Sequence, residues 1–228
     1  MRQISVALTS LLLASTAFSA PGSDSGTQTK TDGSVPAAPP GWVVVEKDWW
    51  YPLRLDAVDA LSNAREYYRR NNERAAANEI RRAASWLTYA SDQALPETKE
   101  ALLGARTNLL TLADDLDTGK VAGAARLDDA LARASSALAQ WHYYRAREEF
   151  GRHDSAAAAQ DLEAAAGHLE NAARSAHFQY GPDTITVFED IYKDGKMISE
   201  GKTIDNDMLG KHLDGIESAV QTMAGALN

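Results

Sequence analysis

The chain has 228 residues, a formal net charge of -9 and no cysteine. These values exclude a disulfide framework, a thiol nucleophile, thioether-attached haem and a lipid-anchoring cysteine. The negative balance argues against nucleic acid as a partner, because backbone binding needs a positive surface, and the length suffices for one substantial domain with its own core.

The first 19 residues read as a secretory signal. Arg2 supplies a basic start, Ile4 to Ala17 is an apolar run, and Ala17-Phe18-Ser19 places small residues where a signal peptidase reads. The cut is placed after Ser19, since cutting after Ala20 would leave Pro21 beside the scissile bond. The run is shorter than the roughly 20 apolar residues that a membrane-spanning helix needs. No second run of that kind follows, so the mature product is expected to be periplasmic or secreted, with no membrane span.

Residues 20–41 are Gly, Ser, Thr, Asp and Pro with little to bury, and read as a disordered leader. Trp42 to Pro52 looks unlike helix: Val43-Val44-Val45 favours extended backbone, and Trp42, Trp49 and Trp50 crowd into it. It is expected to lie across the helices as core closure, with an aromatic ligand platform as the rival reading. The rest is predicted to be helical. Helix 1 covers Leu53 to Arg70, with Leu55, Val58, Leu61, Ala64 and Tyr68 at helical spacing. Helix 2 runs from Glu73 to Ala94 with Ala76, Ile80, Ala83, Leu87 and Ala90 on one face. Helix 3 begins at Pro96-Glu97-Thr98 and stops at Asp117-Thr118-Gly119. Helix 4, Ala122 to Gly151, is long enough that a break near Ala132 to Ser136 is considered. Asp154-Ser155 caps helix 5, which continues to Phe178. Helix 6 covers Thr184 to Ile198, with Gly195 a candidate early end, and helix 7 covers Asp205 to Leu227.

A repeat organises this series. Arg65 to Ser91 returns as Arg147 to Ala173 after 82 positions, pairing Ala75–Ala77 with Ala157–Ala159, Leu87 with Leu169, and Ala90 with Ala172. Small and apolar positions coincide while solvent positions drift, which suggests a duplicated helical hairpin. Gly181-Pro182-Asp183-Thr184 echoes Pro96-Glu97-Thr98 at a shift of 86, extending the match to a third helix. The fold class is therefore all-α: two related three-helix units, residues 53–117 and 121–198, and a C-terminal helix at 205–227. Together with the extended segment they form a single domain over 42–228.

Candidate sites are few. No Glu-x-x-His pair marks a carboxylate-bridged metal bundle, and Glu149 with His153 is the one four-apart pair tested for a shared metal. No metal, cofactor or catalytic residue is assigned, since neither a Ser-His-Asp set nor a paired-carboxylate arrangement follows from spacing. His168 takes the place of Trp86 in the second copy and is expected to be a packed, hydrogen-bonded core residue. Trp141, Tyr144 and Arg147 face partial counterparts in Tyr67 and Arg65, and Tyr and Arg are enriched in binding hot spots. Arg65 and Arg147 are expected to fix the hairpin angle through a salt bridge or helix-end hydrogen bond, with recognition of an anionic group as the alternative. The candidate ligand- or partner-binding residues are thus Trp42, Trp49, Trp50, Arg65, Tyr67, Trp86, Trp141, Tyr144, Arg147 and His168.

The pattern A-R-x-x-Y/F, a polar turn, then A-A-A-x-x-I/L-x-x-A-A-x-x-L-x-x-A is similar to tetratricopeptide hairpins. It departs from them in period and lacks their Trp and Gly landmarks. Over Val43 to Tyr68, Ala75 to Ala94 and Ala146 to Ala173 the chain resembles the YfdX-like family of exported bacterial proteins. That resemblance implies an all-helical periplasmic protein linked to envelope stress, without catalytic residues to carry over. The expected function is non-enzymatic binding of a protein or small ligand through surfaces of the hairpins. A periplasmic holdase-like chaperone is the alternative, a metal- or cofactor-containing bundle enzyme comes third, and a homo-oligomer is left open.

Overall fold

A computed structural model describes residues 55–120 and 123–228, which form seven helices with no strand among them. The stretches read as signal and leader, and the Trp-rich segment with Trp42, Trp49 and Trp50, lie outside the described residues. The helices are α1 (Asp56–Arg69), α2 (Glu73–Asp92), α3 (Pro96–Asp117), α4 (Ala124–Gly151), α5 (Ser155–Ser175), α6 (Pro182–Ser199) and α7 (Asn206–Ala226).

Local chemistry fixes most of the boundaries. The Asn72 side chain accepts from the Ala75 amide to start α2, and Asp154 accepts from Ala157 to start α5. Pro96 and Pro182 occupy the first turns of α3 and α6, where a missing N–H costs nothing. Gly119, at φ +68, closes α3 with the Lys120 amide donating back to the Asp115 carbonyl, a left-handed stop that suits glycine. The break considered in helix 4 is absent. Ala132, Ala134 and Ser135 are all buried there, with no Gly or Pro to interrupt the ladder. Nor does Gly195 end α6. It is buried where the Glu163 carboxylate of α5 comes within 2.5 Å of where a Cβ would stand, so its small size serves packing.

The duplication holds at atomic detail. Asn71 and His153, 82 positions apart, both adopt left-handed backbone at φ 57 and 61. The amides of Asn72 and Asp154 both reach back five residues, to Tyr67 and Glu149 carbonyls at 2.9 and 3.0 Å. Even the exposed pairs Arg70–Glu66 and Arg152–Glu148 repeat, at 2.7 and 2.6 Å.

The match continues beyond the third helix. Buried Leu127, Leu131, Ala134, Ala137, Leu138 and Trp141 of α4 have buried counterparts 82 positions on in Leu209, Leu213, Ile216, Ala219, Val220 and Met223 of α7. The extra four residues that precede α6 are recovered because α6 has 18 residues against 22 for α3. Each three-helix unit is thereby completed by a fourth helix: the first half of α4 in the first unit, α7 in the second. α4 also supplies the opening helix of the second unit, so one helix belongs to both.

Two apolar clusters follow from this plan. One gathers α1, α2, α3 and α4 as far as Trp141; the other begins at Ala139 and gathers the end of α4 with α5, α6 and α7. Leu87 and Leu169 occupy equivalent positions in them, each fully buried, and each such leucine contributes roughly 1.5–3 kcal/mol. The face of α7 carrying Leu209, Leu213 and Ile216 is covered, while neighbouring Met208 is 45% exposed.

Candidate functional site

The chemistry-bearing side chains converge where the two clusters meet, between α4 and α5. These helices run antiparallel from the turn at 152–154 and pack on each other. Across them His142 Nδ1 lies 2.8 Å from Asp161 Oδ1, and both side chains are buried. Arg145 Nε donates to the other carboxylate oxygen at 3.3 Å. An ionised carboxylate only accepts, so His142 carries its proton on Nδ1 and Arg145 supplies the counter-charge. The Arg145 guanidinium also lies over the Trp141 ring, 5.2 Å from its centroid.

His168 stacks on His142, with centroids 5.6 Å apart and planes at 18°. It is fully buried, and neither ring nitrogen has a hydrogen-bond partner among the described residues. Burial holds its pKa well below the ordinary histidine range, and neighbouring His142 adds to the effect. The two imidazoles end a row of rings that starts at half-buried Trp86 and passes through Tyr89 and Trp141.

A second polar seam joins α1 to the same hairpin. Ser62 donates to Asn171 Oδ1 at 3.1 Å, and Asn171 Nδ2 donates to Ser135 at 3.0 Å. Arg65 pairs with Asp128 at 3.0 Å and donates to the Arg174 carbonyl at 2.9 Å, near the end of α5. His177, just beyond α5, reaches the other oxygen of Asp128 at 3.1 Å.

The predicted site residues therefore separate. Arg65 forms both the expected salt bridge and the helix-end hydrogen bond. Its counterpart Arg147 shows neither expected contact among the described residues and lies over Tyr143 and Tyr144, 5.7 Å from each centroid. Tyr143 is buried, and burial, with its hydrogen bond to Glu217 second, pushes its hydroxyl up to about 12. Trp86 donates to Asp56 at 2.7 Å and Tyr67 packs on the first cluster. Tyr144 packs on the second. Trp141 is 3% exposed, its Nε1 without a partner among the described residues. His168 is buried as expected but lacks the expected hydrogen bond. The reason is in the repeat: Asp56, which receives Trp86, is replaced 82 positions on by Leu138.

His142 and Asp161 were not singled out by the spacing of residues along one helix. Their pairing arises from the packing of one helix on the next. Glu149 lies 3.8 Å from Arg152, and His153 sits in the left-handed turn. Among the described residues no group of three or more His, Asp or Glu is arranged to hold a metal ion. Open concave surface lies elsewhere. A shallow groove of 780 Å³ follows the first half of α3, with Leu103, Lys99 and Glu100 beside Gly104 and Thr107, and includes no residue of the His–Asp cluster. No family model, curated protein or solved structure matches the chain.

Proposed function

We propose that the chain is an exported, non-enzymatic helical protein that binds a protein partner through open surfaces of its hairpins. The observation that carries this reading is the separation of chemistry from access. His142, Asp161 and His168 are sealed in the interior, whereas the α3 groove is open, with Leu95 and Leu103 exposed at 44% and 41% beside it. An exposed leucine next to the small residues Gly104 and Thr107 suits the apolar stripe of a partner helix or extended segment. Shallow, open concavity favours a macromolecule over a small ligand, which needs a site that buries most of its surface. Export follows from the leader sequence, and the YfdX-like resemblance, resting on sequence pattern alone, points the same way.

Photo-crosslinking in the cells that make the protein tests this. A benzoylphenylalanine at position 103 is expected to capture a discrete second protein, and one at exposed Asp129 on α4 is not. Equal labelling at both positions, or none at 103, would count against the groove. The holdase-like reading differs in outcome: it requires many adducts of unrelated mass at 103 and capture that grows on heating.

A further inference from the structure

We propose that His168 makes the second hairpin acid-sensitive: its protonation releases α5 from α4 and α1 while the first hairpin stays closed. This does not depend on the partner-binding reading and follows from how the histidines are placed.

Of the five histidines, three are joined to carboxylates between different parts of the fold: His142 to Asp161, His177 to Asp128, and His212 of α7 to Asp194 of α6. Each of these three rings thus has a carboxylate within hydrogen-bond distance. His153 lies exposed in the turn. Among the described residues His168 is the one histidine enclosed with no hydrogen-bond partner for either ring nitrogen.

The charged and titratable groups around it give no relief. On α4, His142 presents its ring face and Arg145 adds positive charge beyond Asp161. On α5, Asp161 is already engaged by His142 and Arg145. α1 brings Arg65, committed to Asp128 and the Arg174 carbonyl, α6 brings Tyr192, whose hydroxyl is given to Glu170, and α7 brings His212, held by Asp194, and Glu217, bonded to Tyr143. An imidazolium in this position gains a hydrogen-bond partner only by reaching water, so the proton binds when α5 lifts.

The contact that must give way is specific. Gly167, next to His168, lies under Leu55 and Val58, and a Cβ there would stand 3.5 and 3.8 Å from them. Asn171, one turn on, holds Ser62 and Ser135. The first hairpin has Trp86 at the equivalent place, with no charge to gain.

One proton taken up on opening, with an ordinary value near 6.5 in the open state, raises the opening equilibrium about 30-fold between pH 7.5 and pH 5.0. Native-state hydrogen exchange, corrected for its intrinsic pH dependence, reads this directly. The α5 amides from Leu162 to Ala172 are expected to open about 30-fold more often at pH 5.0, while α2 from Ile80 to Ala90 changes less than about threefold. His168→Phe is expected to remove the difference, and His168→Leu is the second variant should Phe not fit. A parallel rise in α2 and α5, or a rise in α5 that persists without His168, overturns the proposal. So does an imidazole NMR titration in which His168 of the folded wild type takes up its proton near 6.5 with no change in α5 exchange.

Discussion

The two hairpins share a turn, a cap and a packing pattern, yet they are tied to their surroundings by different chemistry. Around the first, the pairs between helices include Arg81 with Asp114 and Asp117, Arg82 with Asp56, Arg126 with Asp115, and Arg65 with Asp128. Around the second, His142–Asp161 and His212–Asp194 take that part, with Arg145 beside the former. Arginine keeps its charge across the accessible pH range and histidine does not. Repeated small and apolar positions thus preserve a fold, while the polar positions that drift between copies decide under which conditions each copy is firm.

The strongest way to break this comparison is to remove the carboxylate at one repeat position in each copy. Asp161→Ala leaves His142 and Arg145 with an uncompensated buried site and is expected to cost about 3–5 kcal/mol in urea unfolding. The counterpart Glu79→Ala gives up a pair with partly exposed Arg82 and is expected to cost about 1 kcal/mol or less. Equal costs would remove the asymmetry.

Next in size is acid. The His168 pKa is depressed in the folded state, so the unfolded chain binds the extra proton; its contribution is fully present above about 6.5 and is lost as pH falls. Global stability is expected to drop by about 2 kcal/mol from this residue between pH 7.5 and 5.0, and His168→Phe to flatten that part of the profile.

A smaller effect separates glycines. At Gly215 an added Cβ would stand 2.7 Å from Val187 Cγ1 and 3.4 Å from its Cβ, and valine has little freedom to turn away. Gly215→Ala is expected to cost about 1–3 kcal/mol, whereas Gly104→Ala, with nothing within 4 Å, is expected to raise stability by up to about 1 kcal/mol. Thermal melts of the two variants should move in opposite directions. The smallest effect sharpens the likeness of the hairpins: Asn72→Ala and Asp154→Ala each lose one cap, and each is expected to cost about 1 kcal/mol by the same measurement.

Much of this architecture was legible in the sequence because it is local. Asn72, Asp154, Pro96 and Pro182 mark helix starts by the hydrogen bonds they make or cannot make. Ala76, Ile80, Ala83, Leu87 and Ala90 share a face by spacing, and all five are fully buried. The fourth helix of each unit was harder to see, since Ala134 matches Ile216 and Trp141 matches Met223, keeping burial while changing identity. The site was least legible. Arg65 and Arg147 are equivalent in sequence, but Arg65 is enclosed by α4 and α5, whereas Arg147 projects over tyrosines of its own helix. His142 and Asp161 meet only because two helices return at one register, a relation that no pattern along a single helix contains.

The helix that serves both clusters also limits how the protein can be divided. Cleavage in the 118–123 connection would leave the first unit without its closing helix, and cleavage at 152–154 would leave the second without its opening one. No single cut yields two complete bundles. The repeat is thus legible as two copies but inherits as one piece: strain or swelling introduced beside His142 is carried along 15 positions of an unbroken 28-residue helix to Leu127, inside the neighbouring core.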